Sequence, residues 1–531
     1  MSPLRSCPSA IAVLVALLNV ACTATHTSPP PADPPASTLA TLRQAASVEM
    51  AEQSSDTRLG RMVGPAAAAH PGMSGLTLLD RGDEAFLARL ALIEAADESL
   101  DLQYYLWYAD RSGSVLIDRL LEAASRGVRV RVLIDAIYLR AEDELIDALS
   151  LHPNVDLRVF NPLGLRFRDY FTGRWRFNYR MHNKFFIADR KAVVLGGRNM
   201  GDDYFGLDPE HNFRDIDVLA FGPAAAEASA SFGTFWDSEW TSPVERPAAG
   251  TSGGGDLPAA KASFRARSIA LRRSPEFPYP THVPQARIVG LLRQQFLTSA
   301  IWARSLVVSD LPGKRGPDSP ESQVARAVVD LADSTQSRLL VHSAYFIPPD
   351  GMSEKLREFG ERGVTVDVLT NSLASNNHVV AHSGYAKHRR MILRAGTNLH
   401  ELNPYAASKD RYTANPEDDH RLGIHTKAIV SDDARAFIGT FNLDPRSQNL
   451  NTECGIIIES EAFVSQLLKF MEPDLLPENS YRLSIGSLNR LVWTGAAPDG
   501  TPVVTRSEPH APPGLRLKSW LLSLLPLDSQ L

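Results

Sequence analysis

Two stretches of the chain place histidine, lysine, aspartate and asparagine at one repeated spacing. In each, a lysine stands two, an aspartate seven and an asparagine seventeen residues after a histidine. The two sets are His182, Lys184, Asp189 and Asn199, and His425, Lys427, Asp432 and Asn442. In a chain with 14 histidines, the histidine, lysine and aspartate offsets arise by chance about 0.02 times. The repetition therefore predicts a functional site.

The residue types indicate chemistry at phosphorus. The apolar residues around each motif predict a strand, a turn at the aspartate and a second strand. Residues two apart on a strand point to the same face, so each histidine is expected beside its lysine. An imidazole can attack phosphorus or transfer a proton near neutral pH, and an ammonium group can neutralise phosphate oxygens. Each stretch thus supplies a nucleophile or acid together with a cation.

Carboxylates further along the chain are better placed than the turn aspartates to orient the histidine rings. Asp189 and Asp432 are expected to fix their hairpins through Asx-type hydrogen bonds or an ion pair. Asp215 and Glu453 each open an apolar strand downstream of a motif, with Asp217 as the alternative to Asp215. A carboxylate on one ring nitrogen sets the tautomer and raises the basicity of the other nitrogen.

The elements that carry the motifs also occur twice. The hydrophobic pattern predicts a strand at 99–106, a helix at 114–125 and a strand at 128–135. The same order returns at 337–346, 351–360 and 362–371. Such crossover units favour a mostly parallel sheet. We predict an α/β protein of two similar halves, each a mixed or parallel sheet flanked by helices, with a pseudo-twofold relation and one active site at their interface.

The composition along the chain predicts six segments. They are a signal peptide with a lipobox-like end at 1–22, a Pro-, Ser- and Ala-rich tether and leader at 23–71, the first half at 72–242, a linker or variable excursion at 243–284, the second half at 285–489, and a tail with an amphipathic helix at 490–531. The tail helix is expected either to dock on a membrane surface or to cap the protein's own core.

The first 22 residues indicate export. Their apolar run, 10–21, is shorter than the roughly 20 residues that span a bilayer. Residues 18–22 resemble a bacterial lipoprotein box in which Cys22 would receive lipid, although Asn19 stands where leucine is usual. An ordinary cleaved signal is the alternative. Cys454 would then be the only thiol in the folded body, so no internal disulfide is expected.

The overall charge gives no reason to expect a nucleic-acid partner. The net charge is -6 and the pI is about 6.2, so the protein as a whole does not attract a polyanion. The sequence also contains no His-Glu-x-x-His or paired-cysteine pattern, and we expect neither a metal nor another cofactor.

The paired motifs resemble those of the phospholipase D superfamily over residues 72–489. The resemblance includes the Gly-Gly-Arg-Asn run that ends at Asn199 and the Gly-Thr-Phe-Asn run that ends at Asn442. Within that superfamily, residues 180–184, 201–205 and 442–447 are most similar to bacterial cardiolipin synthases, especially those of the C type.

The resemblance implies a two-step phosphatidyl transfer in the bacterial cell envelope. One histidine would attack a phospholipid and form a phosphohistidine, while the other protonates the departing alcohol. Phosphatidylglycerol as acceptor would give cardiolipin, and phosphatidylethanolamine is a further expected substrate at the membrane surface. The resemblance makes the whole motifs catalytic, Asp189 and Asp432 included. It assigns the phosphate oxygens to Lys184, Lys427, Asn199 and Asn442.

Three other functions remain open on the sequence alone. They are a phospholipase D that releases phosphatidic acid, a phosphodiester nuclease of the same superfamily, and an inactive lipoprotein scaffold. The sequence also leaves open whether five further residues line the site or belong to the core, namely Gln103, Tyr104, Tyr105, Tyr345 and His382.

Overall fold

The computed structural model describes residues 56–139, 149, 152–162, 178–244, 257–274, 277–279, 284–316, 318–417, 419–497 and 499–525. All of them fall within the unit Val48–Leu531. The predicted signal peptide and the predicted lipidation site at Cys22 lie outside the described ranges. Within those ranges, no helix has both the length and the apolar character needed to cross a bilayer.

The strands divide between the two halves predicted from the sequence. The first half contains β1 (Ser74–Leu79), β2 (Ser99–Tyr104), β3 (Arg129–Asp135), β4 (Val155–Phe160), β5 (Phe185–Ala188), β6 (Ala192–Gly196), β7 (His211–Arg214), β8 (Asp217–Phe221) and β9 (Thr241–Pro243). The second half contains β10 (Ile301–Ser309), β11 (Arg338–Ser343), β12 (Thr365–Asn371), β13 (Asn398–Leu402), β14 (Arg421–Ile424), β15 (Lys427–Ser431), β16 (Arg435–Gly439), β17 (Cys454–Glu459) and β18 (Ser480–Ile485). Two further strands, β19 (Leu491–Ala496) and β20 (Pro502–Thr505), lie in the predicted tail.

Helices flank these strands. Those up to the end of the first half are α1 (Arg58–Ala69), α2 (Gly82–Ala95), α3 (Arg111–Ser125), α4 (Ala136–Leu139) and α5 (Pro223–Trp236). Two lie between the halves, α6 (Leu257–Arg273) and α7 (Gln285–Leu291). The others are α8 (Gln323–Asp333), α9 (Met352–Glu361), α10 (Val379–Ala386), α11 (Arg389–Arg394), α12 (Pro445–Asn449), α13 (Glu461–Met471) and α14 (Pro513–Ser523).

The two halves repeat one strand order outward from a joint between β1 and β10. The first half runs β1, β8, β6, β5, β2, β3, β4, and the second runs β10, β17, β16, β15, β11, β12, β13. At the joint, β1 and β10 are antiparallel, with Leu76 opposite Ile301. Among the described residues, eighteen strands form one continuous sheet, and β7 and β14 form a separate parallel pair. The prediction of an α/β fold with two similar halves is confirmed.

Local sequence signals explain the crossover units. Asp110 accepts a hydrogen bond from the backbone N–H of Gly113 at 3.0 Å and caps the start of α3. After α3 and α9 the chain turns at Gly127 and Gly363, whose φ angles of 100° and 77° are easily reached only without a side chain. The strands that flank each helix are parallel, β2 with β3 and β11 with β12. Each half therefore contains the predicted strand, helix and strand.

A shared apolar core joins the halves. One cluster of buried side chains includes Leu76 and Ile187 from the first half and Ala303, Ile438 and Ile456 from the second. Because this cluster takes residues from both halves, burial of apolar surface holds them together along the joint of the sheet.

Elements outside the repeated units also pack on the body. Helix α1 lies in the segment predicted as tether and leader, and its Leu59 and Val63 are buried in the core of the first half. Helix α6 lies in the predicted excursion, and its Phe264 joins the same core. In the predicted tail, β19 pairs with β18 and extends the sheet.

Candidate active site

The two motif hairpins, β5–β6 and β15–β16, approach each other with their histidines at the start. The His182 backbone N–H donates to the carbonyl of Thr452 at 2.9 Å, and that of His425 donates to the carbonyl of Arg214 at 2.9 Å. In each case the carbonyl belongs to the other half of the chain. The residue that follows each accepting carbonyl is acidic, Glu453 after Thr452 and Asp215 after Arg214, so the backbone pairing places a carboxylate beside each ring.

The carboxylates are crossed between the halves. Nδ1 of His182 donates to Oε2 of Glu453 at 2.7 Å, and Nδ1 of His425 donates to Oδ2 of Asp215 at 2.6 Å. Each half therefore supplies one ring and the carboxylate that orients the other half's ring. The alternative, Asp217, instead binds Arg89 at 2.9 Å and lies near Arg198.

Small residues make room for the crossed pairs. A side chain at Gly197 would place its Cβ 2.2 Å from Oδ1 of Asp215, so this position requires glycine.

On the other side, the hydroxyl of Thr440 donates to Oε2 of Glu453. The backbone N–H of Glu453 donates to Asp310 at 3.0 Å, and Asp310 is paired with Lys314 at 2.7 Å. Sequence reasoning missed Asp310 and Lys314, which lie outside the repeated motifs.

Burial sets the protonation of both rings. Desolvation lowers the pKa of His182 to about 4 and that of His425 to about 3, although the carboxylates oppose this change. Burial raises the pKa of Asp215, but the His425 charge and hydrogen bond outweigh it and lower the pKa to about 2. Both rings are consequently neutral near pH 7. With Nδ1 donating to a carboxylate, Nε2 has a free lone pair that can attack phosphorus or accept a proton.

The motif lysines lie beside the rings and are turned towards the backbone. Nζ of Lys184 donates to the carbonyl of His182 at 2.8 Å, and Nζ of Lys427 donates to the carbonyl of His425. Both side chains are buried, and desolvation lowers their pKa values to about 8 and about 7.

The backbone N–H of Lys184 also meets the thiol of Cys454 at 3.3 Å. That thiol is buried, and burial raises its pKa to about 12.

Both histidines line one cavity of about 390 Å³, a volume typical of small-molecule sites. The two motif asparagines, Asn199 and Asn442, line it as well, and the carbonyl oxygen of each side chain is buried without a hydrogen-bond partner. Nδ2 of Asn199 donates to the hydroxyl of Tyr204 at 2.9 Å. The cavity thus contains the rings and amides of both motifs.

Aromatic rings stand against both histidines in equivalent positions. Tyr105 meets His182 edge-on at 5.1 Å between ring centres, and Tyr204 meets His425 in the same way at 5.1 Å. Tyr105 and Tyr345, whose roles the sequence left open, line the cavity. Gln103, Tyr104 and His382 are buried elsewhere and do not line it.

The cavity wall also contains two acids that sequence reasoning missed. Burial raises the pKa of Asp203 to about 8 and that of Asp444 to about 7. Asp444 accepts a hydrogen bond from the backbone N–H of Ser447 and caps α12, which begins at Pro445. The Asp-Pro pair at a helix start is the signal that could have identified Asp444.

The turn aspartates lie outside the cavity. Asp189 accepts hydrogen bonds of 2.8 to 2.9 Å from the backbone N–H groups of Asp97, Glu98 and Ser99. Asp189 thus ties its hairpin to the chain entering the neighbouring strand β2, through hydrogen bonds to that chain. Its φ of 48° lies in the left-handed region, which directs the side chain across to that loop.

Asp432 makes the equivalent contacts in the second half. It accepts from the backbone N–H groups of Gln336, Ser337 and Arg338 at 2.8, 2.7 and 3.2 Å, at the start of β11. Burial raises its pKa, but these hydrogen bonds outweigh burial and lower the pKa to about 2. Neither Asp189 nor Asp432 is among the residues that line the cavity, and their place in the catalytic set stays a prediction.

Among the residues that the structure describes, no group of three or more histidine, cysteine, aspartate or glutamate side chains is arranged to hold a metal ion.

Comparisons with known proteins agree with the repeated architecture. Residues 90–236 and 328–475 match the family described as "Cardiolipin synthase, PLD-like domain", where PLD denotes phospholipase D. The sequence is 34% identical to cardiolipin synthase C of Escherichia coli (strain K12), over 89% of this chain and 99% of that protein. It is 25% identical to the major cardiolipin synthase ClsA of Bacillus subtilis (strain 168), over 79% and 72% of the two chains.

A solved structure shares the fold. The crystal structure of phosphatidylserine synthase from Haemophilus influenzae Rd KW20 superimposes with a TM-score of 0.53, covering 79% of this chain and 91% of that chain. At 15% sequence identity the likeness supports the fold alone.

Proposed function

This chain belongs to the cardiolipin synthase family of phospholipase D-like proteins, and we propose that it is a phosphatidyltransferase that makes cardiolipin. It joins phosphatidylglycerol to the phosphatidyl group of a second phospholipid. The observation that carries the proposal is the pair of crossed histidine–carboxylate contacts that open into one cavity. Two imidazoles facing one space can serve as the nucleophile, in the neutral form, and as the general acid, in the protonated form, and a double displacement at phosphorus requires both.

The first displacement forms a covalent intermediate. Nε2 of one histidine attacks the phosphorus of the donor lipid, and the bond between phosphorus and the headgroup oxygen breaks. The other histidine, once protonated, gives its proton to that oxygen, and the headgroup alcohol leaves. The carboxylate behind each ring stabilises the imidazolium that forms at its Nδ1 side.

The second displacement returns the nucleophilic histidine to its neutral form and the acid histidine to its protonated form. The histidine that lost its proton now accepts one from a hydroxyl of phosphatidylglycerol. That oxygen attacks the phosphorus of the phosphohistidine, and the bond between phosphorus and nitrogen breaks. The product is cardiolipin, and water in place of the hydroxyl would release phosphatidic acid.

The buried lysines and the asparagine amides stabilise the negative charge that accumulates on the phosphate oxygens. Lys184 and Lys427 are buried next to the histidines, with Nζ of each on a histidine carbonyl, and low solvent access strengthens their attraction for a phosphate. Asn199 and Asn442 line the cavity, and each can donate an amide N–H to a phosphate oxygen. We assign these four residues to the non-bridging oxygens, where charge accumulates in both displacements.

We propose a membrane location for the reaction. The substrates are phospholipids, and the sequence features of residues 1–22 support export with lipidation at Cys22 in a bacterial envelope. Phosphatidylglycerol is the proposed acceptor, with phosphatidylglycerol or phosphatidylethanolamine as donor.

Product analysis tests the function. The purified full chain is incubated with vesicles of phosphatidylglycerol, with and without phosphatidylethanolamine, and the lipids are identified by mass spectrometry. We expect cardiolipin together with free glycerol or ethanolamine. Phosphatidic acid as the only lipid product would contradict the transferase and support a hydrolase.

Histidine variants provide the control. His182→Ala and His425→Ala should each reduce turnover about 1,000-fold or more, because each removes the nucleophile or the acid. His70→Ala changes a half-buried histidine outside the cavity and should retain activity. Mass spectrometry of the acid-quenched enzyme then identifies which histidine carries the phosphatidyl group.

A further inference from the structure

Helix α14 presents an apolar face to solvent. Leu517, Trp520, Leu521 and Leu524 are 56%, 58%, 51% and 63% exposed. Their spacing of three, one and three residues places them on one side of the helix. Exposed leucines occur singly elsewhere, as at Leu488, but a contiguous apolar face of four large residues marks an interaction site.

The opposite face of α14 is already in use. Leu515 packs against a small apolar cluster that includes Leu373, Val379 and Ala511, and Ser519 is buried. The helix is therefore fixed on the body by one side, and no described residue covers the other. A helix that is apolar on both faces requires a second apolar environment.

The cavity lies directly behind this helix. Val379, at the start of α10, packs in the cluster with Leu515 of α14. The next two residues, Val380 and Ala381, line the cavity that contains both histidines. Packed helix axes are about 8–10 Å apart. One helix, α10, thus separates the exposed apolar face from the space where the reaction occurs.

The charges on α14 indicate the kind of surface it contacts. Arg516 and Lys518 lie beside the apolar face, and residues 513–525 contain no acidic side chain. A tryptophan and several leucines with flanking cations are typical of a helix at the boundary between lipid headgroups and acyl chains. The cations suit anionic headgroups.

We propose that the face formed by Leu517, Trp520, Leu521 and Leu524 docks on a bilayer that contains anionic phospholipid. The inference rests on the proposed function, since the substrates are lipids of such a bilayer. Docking by α14 places the α10 wall of the cavity next to the membrane surface. A substrate lipid then reaches the histidines without leaving its bilayer completely.

Fluorescence quenching tests the contact at one residue. The full chain is mixed with phosphatidylglycerol vesicles that contain lipids brominated on the acyl chain, and quenching is compared between the wild type and Trp520→Phe. The chain has 7 tryptophans, so the difference isolates Trp520. We expect strong quenching that Trp520→Phe largely loses and that phosphatidylcholine vesicles reduce. Equal quenching of both proteins would overturn the proposal.

Activity on two forms of substrate separates docking from catalysis. A variant with Leu517→Ser, Trp520→Ser and Leu521→Ser should convert vesicle phosphatidylglycerol at least ten-fold more slowly than the wild type. It should convert short-chain phosphatidylglycerol below its micelle concentration at the wild-type rate, which also shows that it is folded. Leu488→Ser, at an exposed leucine away from α14, is the matched control and should match the wild type on both substrates.

The other possible outcomes distinguish a failure of membrane docking from a failure of the proposed activity. Wild-type rates on vesicles from the triple variant would overturn docking and leave the enzyme activity intact. No conversion of the short-chain lipid by the wild type would contradict the proposed function, while the quenching of Trp520 would still support docking. If sedimentation showed a dimer that the triple variant loses, and Trp520 were not quenched by lipid, the face would instead bind a second copy of the chain.

Discussion

The histidine rings depend on carboxylates that are far away in the sequence. Glu453 is 271 residues from His182, and Asp215 is 210 residues from His425. In each pair, the oxygen that accepts from Nδ1 fixes which nitrogen faces the cavity. Neutralising the carboxylate removes both the fixed tautomer and the stabilisation of the imidazolium.

We expect Asp215→Asn and Glu453→Gln each to lower kcat about 100-fold or more, because each leaves one ring without its charged partner. Asp350→Asn, at an exposed aspartate, is the control and should leave kcat unchanged. A proton spectrum should show the downfield Nδ1–H signal of His425 lost only in Asp215→Asn, and that of His182 lost only in Glu453→Gln. Loss of the opposite signal in each variant would show that the pairs are not crossed.

For single residues, the sequence predicted which side chains belong to the site better than it predicted which carboxylate contacts which histidine. The repeated spacing identified both rings and both lysines, and the position at a strand start identified Asp215 and Glu453. The pairing could not be predicted because it depends on how the two halves face each other. Tyr204 and Asp203 follow no repeated spacing, and the resemblance of residues 201–205 gave neither of them a role.

The hairpins are tied to their neighbouring strands by their turn aspartates. Asp189 is buried and accepts three backbone N–H groups ahead of β2. Asp432 does the same for β11, with a side chain that is 20% exposed. These contacts set the position of each hairpin in the sheet, and the histidine at the start of the hairpin moves with it.

Asp189→Asn should lower the free energy of unfolding by about 2 kcal/mol, since hydrogen bonds to a buried charge are replaced by weaker ones. Urea unfolding measures this change. We expect kcat to remain within about three-fold of wild type under conditions where the variant is folded. Full loss of turnover with unchanged stability would instead support a place for Asp189 in the catalytic set.

Asp432, in the turn of the second hairpin, allows the contribution of a turn aspartate to stability to be measured as a function of pH. The folded pKa of Asp432, about 2, lies below its ordinary 3.8, so its contribution to stability is present above pH 3.8 and disappears as the pH falls towards 2. The difference in stability between wild type and Asp432→Asn should shrink in that window. The measurement is the free energy of unfolding of both proteins at a series of pH values, and a difference that stays constant through the window would contradict the prediction.

The residues that the structure describes form one large sheet, the separate β7–β14 pair and flanking helices, and the active-site cavity takes residues from both halves. Periodicity and duplication predicted the repeated parts of this sheet because each half served as a reference for the other. The unrepeated additions, α1, α6 and the strands β19 and β20, had no second copy for comparison, and their places depend on tertiary contacts. The burial of apolar residues such as Leu59 became visible only in the structure.

The rate at which a reagent labels the buried thiol of Cys454 reports how often the contact between the two halves opens. The thiol is buried in a strand of the second half and contacts the backbone of Lys184 in the first, so a reagent can reach it only when the two separate. In the full chain with Cys7→Ser and Cys22→Ser, a disulfide reagent should label Cys454 at least about 1,000-fold more slowly than in the urea-unfolded chain. Labelling at the unfolded rate would mean that the halves part freely. A slow labelling rate, measured as a function of denaturant concentration, would instead give the frequency with which the two halves separate at the interface that forms the active site.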